Sequence, residues 1–150
     1  MVLKALVDDF LAQKVLALAG VRRNGSGFGH AIRKELVSRG WDVRLVHHQA
    51  DAAGGIPCVR GLKALRGQAG GLILVTRPKV TERLVREAAE AGMKRIWIQQ
   101  GAASRDAIEF CRSAGLGVVH GECILMHAAH DAFPHGMHRW LRGLFGLNPR

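Results

Sequence analysis

Five short runs of apolar residues, separated by helical patterns, set the order of elements along the chain. Each run has the length of a buried strand and lies beside glycine or polar residues; the runs span residues 14–21, 41–47, 70–76, 94–101 and 116–123. Continuous apolar strands are typical of parallel sheets that helices cover on both faces. The pattern therefore predicts five parallel strands.

Apolar residues at helical spacing predict amphipathic helices around these strands. The predicted helical stretches are residues 2–12, 29–39, 81–92, 104–114 and parts of 124–147. Thr81 and Ser104 are expected to cap their helices, and Gly40 and Gly115 have the position of C-terminal cap glycines. Opposite charges at i,i+4 also predict three pairs on one exposed face: Glu82–Arg86, Arg83–Glu87 and Arg86–Glu90.

Strands that alternate with helices require right-handed crossovers, which place helices on both faces of one sheet. We therefore expect an α/β fold, a Rossmann-like doubly wound, five-stranded parallel sheet with helices on both faces. A chain of 150 residues is long enough for one hydrophobic core. Residues 1–150 are predicted to form a single domain, with an N-terminal helix 2–12 and a C-terminal helical extension 124–147. The turn-rich residues 49–61 are interpreted as a loop before a short helical piece around Leu62 and Leu65.

The composition shows a strong positive net charge and few cysteines. Lys and Arg number 22 against 12 Asp and Glu, a formal net charge of +10, which suits an acidic small ligand as well as nucleic acid. Cys58, Cys111 and Cys123 lie far apart and form no CxxC motif, so we expect free thiols in a reducing cytoplasm. No apolar run approaches the roughly 18 residues of a membrane span, and we expect no membrane partner.

A glycine-rich loop with two arginines follows the first predicted strand. Backbone N–H groups at the start of the next helix lack intrahelical partners and attract anions, and guanidinium groups add charge-assisted donors. The loop therefore predicts a phosphate site, although a simple connecting turn is the alternative interpretation. Its candidate ligand-binding residues are Arg22, Arg23, Gly25, Gly27, Gly29 and His30.

Two features argue against ordinary NAD as the ligand. The fingerprint GxGxxG is incomplete, because His30 stands where a third glycine would follow Gly25 and Gly27. The acidic residue that binds the NAD ribose is missing from the end of the second strand, where His47 and His48 lie. Basic surroundings suit a phosphorylated ribose. Coenzyme A, which has a 3′-phosphate, and NADP, which has a 2′-phosphate, both remain candidate ligands.

Four segments also carry a family resemblance. They are GIPCVRGL at residues 55–62, TRPKV at 76–80, the long stretch at 87–119 and GEC at 121–123. In this order they resemble the Gly-Ile-Pro-Cys segment, the Phe-Arg-x-x-x-Val segment, the Trp-x-Gln-x-Gly strand and turn, and the Asp-Arg-Cys end of the stand-alone CoA-binding domain proteins. These proteins are relatives of the CoA-binding Rossmann domain of the succinyl-CoA synthetase α subunit. The resemblance covers roughly residues 12–126.

The resemblance implies binding of coenzyme A or an acyl-CoA at the carboxyl edge of the sheet. The nucleotide-facing positions of the family are the turn after the first strand and the ends of the second, third and fourth strands. In this sequence they correspond to Gly20, Val21, Arg22, His47, Thr76, Arg77, Pro78, Gln100 and Gly101. The chain departs from the family at Arg22, at His47–His48 and at Glu122, where relatives carry serine, Asn-Pro and arginine.

Catalytic and metal motifs are missing from the sequence. It has no G-x-S-x-G elbow and no P-loop, and we expect a small nucleotide-binding protein without catalysis of its own. Five histidines near Cys123 fit no closed Cys₂His₂ spacing, so no metal is expected; they are His120, His127, His130, His135 and His138.

Two further functions stay open as alternatives. One is an NADP-type dinucleotide binder or redox sensor. The other is a basic protein- or nucleic-acid-interaction module on a Rossmann scaffold, suggested by C-terminal arginines beside Trp140. No RRM, KH or HTH signature accompanies them, so nucleic acid is not the expected partner. The apolar stripe from Met137 to Phe145 predicts packing on the domain or a homodimer through the C-terminal helix.

Overall fold

The structure, a computed structural model, describes residues 2–132 of the chain. In this range lie the helices α1 Val2–Leu11, α2 Phe28–Ser38, α3 Pro78–Glu90, α4 Arg105–Ser113 and α5 Ile124–Ala132. The strands are β1 Val15–Ala19, β2 Asp42–Val46, β3 Ala52–Ala53, β4 Ile56–Val59, β5 Gly71–Leu74, β6 Arg95–Gln99 and β7 Gly117–Glu122, and a 3₁₀ helix spans Leu62–Leu65. The predicted C-terminal helix begins as α5, and its part beyond residue 132 lies outside the described residues.

The strands form one sheet in the order β3-β4-β2-β1-β5-β6-β7. All pairings are parallel except that of β3 with β4. The chain builds from β1 outward through β2 and then crosses to the other side of β1 with β5, so the strand order reverses beside β1. This reversal gives the doubly wound, Rossmann-like α/β fold that the alternation of strands and helices predicts.

The prediction of five strands was wrong, because the sheet of the described residues has seven. The additional strands β3 and β4 form an antiparallel hairpin inside residues 49–61, which we interpreted as a loop. Gly54 and Gly55 make its turn with φ values of 55° and 79°. Pro57 lies within β4, which joins β2 through only two residue pairs. Short edge strands that contain proline give little periodic signal in a sequence.

Helices cover both faces of the sheet, because alternate residues of each strand point to opposite sides. One face packs against α1, α2 and α5, and its fully buried residues include Leu16, Leu18, Ile73 and Trp97. The other face packs against α3, α4 and the 3₁₀ helix, and includes Ala17, Leu72, Leu74, Ile96 and Ile98. These two layers fix the strand ends, and thereby the carboxyl edge at which ligands of such sheets bind.

The helix caps agree only in part with the sequence pattern. The prediction for Ser104 is confirmed, since its hydroxyl accepts the Ala107 N–H at 3.1 Å. Thr81 was the wrong cap for α3, which begins earlier, with Arg77 as N-cap and Pro78 at the first helical position. Proline suits that position because its missing N–H has no helical partner anyway.

The three predicted i,i+4 pairs on α3 do not form among the described residues. The charged groups of α3 have partners on other elements instead. These are the Ser104 hydroxyl for Glu82 (2.9 Å), the Leu62 N–H for Glu87 (2.9 Å) and the Phe110 ring for Arg86 (4.5 Å to the ring centre). Three charged groups of α3 are therefore tied to other elements, whereas Arg83 and Glu90 have no such partner among the described residues.

Candidate functional site

A cleft of about 220 Å³ opens at the carboxyl edge of the sheet, beside the point where the strand order reverses. Its walls come from the ends of β1, β2, β4 and β5 and from one face of α3. Its polar and charged side chains are His47, His48, Arg60, Thr76, Arg83 and Glu87. We call the ends of β1, β2 and β5 the open half of this edge, and the ends of β6 and β7 the closed half.

Gly20 lines the cleft at a place that only glycine can occupy. Its φ is +114°, and an added Cβ would lie 2.1 Å from the Val75 carbonyl oxygen. Gly29 is equally constrained, because a Cβ there would lie 2.5 Å from the Gly20 carbonyl oxygen. The end of β1, the end of β5 and the start of α2 can therefore approach each other closely. Val21 follows Gly20 into the cleft lining and is buried.

His47 and His48 form one side of the cleft, with nearly parallel rings whose centres are 5.7 Å apart. The Gln49 N–H donates to His47 Nδ1 at 3.1 Å. Since a neutral imidazole carries one proton, this bond places the proton of His47 on Nε2. Burial, and then the charges of His48, Arg23 and Arg60, lower the pKa of His47 below its ordinary value of 6.5. His47 is thus a neutral hydrogen-bond donor at neutral pH.

Two arginines and one carboxylate complete the charged lining. Arg60 is oriented by Asp51, whose carboxylate oxygen lies 2.8 Å from Nε, and donates to the His48 carbonyl at 3.5 Å. Glu87 accepts the Leu62 N–H at 2.9 Å. Arg83 projects from α3 with no hydrogen-bond or ion-pair partner among the described residues. The cleft therefore presents more positive than negative charge.

Thr76, two residues after the end of β5, contributes a hydroxyl to the cleft. Its Oγ1 lies 2.6 Å from Oγ1 of Thr81, whose side chain is completely buried. The pair joins the end of β5 to the first turn of α3, which fixes the distance between the sheet edge and the helical wall.

The glycine loop turns away from the cleft and packs on the β3–β4 hairpin. Arg23 donates to the Gln49 carbonyl at 3.2 Å and accepts the Gly54 N–H at 2.8 Å through its own carbonyl. His30 Nε2 lies 2.8 Å from the Arg22 carbonyl, and the aliphatic part of Arg22 covers Gly27. No side chain caps α2, which begins after Gly27.

The predicted site residues thus separate into two groups. The structure brings Gly20, Val21, His47 and Thr76 together in the cleft. The others do not line it: Arg22, Arg23, Gly25, Gly27, Gly29, His30, Arg77, Pro78, Gln100 and Gly101. Several of these border it in the chain, since Arg22 follows Val21, and Arg77 and Pro78 follow Thr76.

The buried, hydrogen-bonded glutamine at the end of β6 is Gln99, not Gln100. Counting from Trp97, the spacing Trp-x-Gln-x-Gly falls on Gln99 and Gly101. Gln99 is only 2% exposed, and its Oε1 accepts the N–H of Ile124, the first residue of α5, at 3.0 Å. Gln100 is exposed. Sequence spacing alone was sufficient to identify the buried residue.

Contacts of this kind join the elements of the closed half. Trp97 is fully buried in the core, as its place in an apolar strand suggests, and its Nε1 donates to the Glu122 carbonyl at 3.2 Å. His127 packs edge-on against the Trp97 ring, and its Nε2 lies 3.3 Å from a Glu122 carboxylate oxygen. Among the side chains that the structure describes, no three His, Cys, Asp or Glu groups are placed to hold a metal ion.

Arg60, Arg83 and His48 are the cleft residues that sequence reasoning missed as ligand-binding groups. Arg60 lies in the segment interpreted as a loop, and Arg83 belongs to a helix whose charges predicted an ion pair with Glu87. Only the crossover that places α3 against the end of β4 brings the two arginines to one cleft. The single sequence signal was the departure of His47–His48 from the expected Asn-Pro.

Comparison with known proteins shows the family of the chain. The profile of the family described as CoA binding domain matches residues 14–129. The protein YneT of Bacillus subtilis (strain 168) is 24% identical over 122 residues, which are 81% of this chain and 90% of YneT. In the described part of the chain, no helix has the length and apolar character needed to cross a bilayer.

Solved structures share the fold. A conserved hypothetical protein from Pyrococcus furiosus is 34% identical, with a TM-score of 0.69 over 74% of this chain and 96% of its own. A hypothetical protein from Pyrococcus horikoshii OT3 is 23% identical, with a TM-score of 0.76 over 85% of this chain and 89% of its own. The second similarity supports the fold alone.

Proposed function

Because this chain belongs to the family of CoA binding domains, we propose that it binds coenzyme A or an acyl-CoA at the open half of its sheet edge. The observation that carries the proposal is the cleft beside Gly20, at the topological position where doubly wound sheets bind nucleotides, with two arginines in its lining. The proposed role is binding without catalysis. The three free cysteines support a reducing compartment, and we propose the cytoplasm.

The size of the cleft limits how the ligand can lie. Pockets that enclose a drug-sized ligand have volumes of roughly 300–1,000 Å³, whereas this cleft has about 220 Å³. Coenzyme A would therefore place one part in the cleft and extend the rest along the sheet edge. The uncapped starts of α2 and α3 flank that path and offer backbone N–H groups to further phosphates.

NADP is the second candidate, because the same cleft would accept a phosphorylated ribose. His47 occupies the strand end where NAD proteins carry an acidic residue, which disfavours NAD under either proposal. The interaction module on a Rossmann scaffold depends on C-terminal arginines that lie outside the described residues.

Thermal unfolding in the presence of separate nucleotides tests the proposal. CoA, acetyl-CoA, NADP⁺, NADPH and NAD⁺ would each be added to the full chain at two salt concentrations. A ligand at about 100 times its dissociation constant stabilises by about 2.7 kcal/mol, which shifts the midpoint by roughly 5–10 °C in a protein of this size. We expect this shift for CoA or acetyl-CoA, and a smaller one at higher salt. A shift with the dinucleotides alone would favour the second candidate, and no shift with any nucleotide would refute both.

A further inference from the structure

We propose that Arg83, on α3, and Arg60, after β4, which line the same cleft, together bind one phosphate group of the ligand. This inference rests on the proposed function and deepens it, because it assigns the phosphate to two side chains outside the glycine loop. Neither arginine belongs to the positions that the family resemblance implies.

Arg83 is the first support, because no ion pair or hydrogen bond within residues 2–132 uses its charge. The nearest acidic groups along α3 are Glu82 and Glu87, and both bind elsewhere, to Ser104 and Lys79 and to the Leu62 N–H. No described carboxylate forms an ion pair with Arg83. An arginine that lines a cleft without a partner is available to an anion from solution.

Arg60 is the second support, because its guanidinium already has contacts that direct it at the edge of the cleft. Nε lies 2.8 Å from an Asp51 carboxylate oxygen in an exposed ion pair, and Nη1 donates to the His48 carbonyl at 3.5 Å. A guanidinium has five N–H donors, so these two contacts orient the group and leave donors for a ligand. Arginine binds phosphate oxygens through two parallel N–H bonds, which makes such orientation useful.

The remaining polar groups of the cleft indicate where the phosphate lies. Glu87 keeps a carboxylate beside Leu62, which repels an anion from that end. Besides the two arginines, the lining offers donors and neutral groups, among them the Nε2–H of His47, the Thr76 hydroxyl and the Gly20 backbone. We therefore expect the phosphate near the two arginines and these groups, away from the Glu87 carboxylate.

The glycine loop does not supply this charge. Arg23 is bonded to the Gln49 carbonyl, and the Arg22 side chain covers Gly27. Neither arginine lines the cleft. Among the described residues, Arg60 and Arg83 are therefore the arginines whose side chains line the cleft, whereas Arg23 acts on it only through its charge near His47.

Calorimetric titration of CoA, dephospho-CoA and inorganic pyrophosphate into the full chain tests the inference. The variants are Arg83→Gln, Arg60→Gln and the control Arg66→Gln, which removes the same charge from an exposed residue directly after the 3₁₀ helix, outside the cleft. Loss of a charge-assisted hydrogen bond weakens binding by about 10-fold or more. We expect this loss in Arg83→Gln and Arg60→Gln, and less than about a 2-fold change in the control, whose contribution is screened surface charge. Unfolding midpoints without ligand verify that each variant is folded.

The comparison of CoA with dephospho-CoA identifies which phosphate is bound. If Arg83→Gln weakens CoA but not dephospho-CoA, the bound group is the 3′-phosphate; if it weakens both equally, the group is the pyrophosphate. Both results support the inference. Equal affinities of wild type and Arg83→Gln for every ligand would overturn it while leaving the proposed function intact. If the wild type binds pyrophosphate through Arg83 but neither nucleotide, the proposed function fails and the phosphate subsite stands; if it binds none of the three, both fail.

Discussion

The two halves of the carboxyl edge lie in the same sheet but differ in whether their polar side chains bind other parts of the protein. In the closed half, Gln99, Trp97 and Glu122 are engaged in hydrogen bonds that join β6, β7 and α5. In the open half, tight backbone contacts at Gly20 lie beside a cleft, and Arg83 lines it without a partner in the part of the chain that the structure describes.

This difference shows that position in a doubly wound sheet is not sufficient to make a binding site. Both halves lie at the carboxyl ends of parallel strands, where ligands of such folds bind. A buried polar group that forms its hydrogen bonds within the protein stabilises the fold. A polar group at a cleft without a protein partner can instead form hydrogen bonds with a ligand. The partners of each side chain therefore distinguish the two halves better than their place in the topology does.

The largest expected effect comes from disturbing the backbone of the open half. Gly20→Ala would place a methyl group against the Val75 carbonyl in a backbone conformation that alanine rarely adopts. We expect it to lower the free energy of unfolding by about 3 kcal/mol or more. Gly101→Ala is the matched control, since Gly101 also has a positive φ but an added Cβ meets no atom within 4 Å. Denaturant unfolding should show that Gly101→Ala lowers the free energy of unfolding by roughly 1 kcal/mol. Equal losses in both variants would contradict the steric argument.

A smaller effect is expected from the side-chain contacts of the closed half. Gln99→Leu removes the acceptor of the Ile124 N–H inside the protein, at a cost of about 1–3 kcal/mol. Gln100→Leu, one residue further along and exposed, should change stability by no more than about 0.5 kcal/mol. Denaturant unfolding of the two variants measures the difference. If Gln99→Leu also abolished nucleotide binding while remaining folded, the closed half would have to be counted as part of the site.

The pH dependence of stability should differ between the wild type and His47→Gln. The folded state lowers the pKa of His47, mainly through burial, so it binds fewer protons at this position than the unfolded state. The stabilisation is therefore present above pH 6.5 and is lost as the pH falls through the folded-state pKa. Unfolding midpoints from about pH 8 to about pH 5 should decrease more steeply in the wild type than in the variant. Parallel curves would show that His47 is not held neutral.

The smallest effect is a contrast in thiol reactivity, without change in stability. Burial raises the pKa of Cys111 in α4 to about 11, and it raises that of the half-buried Cys58 in β4 to a lesser extent. Thiolates, not thiols, react with alkylating agents. Brief labelling of the native protein at mild alkaline pH, followed by peptide mass spectrometry, should modify Cys58 before Cys111. Equal labelling of both cysteines in native protein would mean that α4 opens easily.

Much of the fold could be predicted because its central strands are buried on both faces. The strands that contain Leu16–Leu18 and Leu72–Leu74 are apolar over their whole length. This pattern is typical of parallel strands that are covered on both faces. The hairpin of β3 and β4 could not be found in the same way. Its strands have two and four residues, lie at the sheet edge and contain mostly exposed or half-buried positions.

The candidate site was only partly predictable, because its charges come together through tertiary contacts. Gly20 and His47 directly follow strands and Thr76 lies two residues after one, so their common edge is implied by the strand order. Arg60 and Arg83 are 23 positions apart in the sequence numbering, and nothing in their local patterns indicates that they share a cleft. In the glycine loop the local signal was strong, but the packing of Gly25 on Gly54 directs the loop toward the hairpin.

That packing has a practical consequence for anyone who builds chimeras of this protein. An added Cβ at Gly25 would lie 2.9 Å from the Gly54 Cα, and one at Gly54 would lie 2.6 Å from the Gly25 Cα. Together with the bond from the Gly54 N–H to the Arg23 carbonyl, this makes residues 22–29 and 52–59 one transferable unit. A loop transplanted from a relative has to bring the matching hairpin with it.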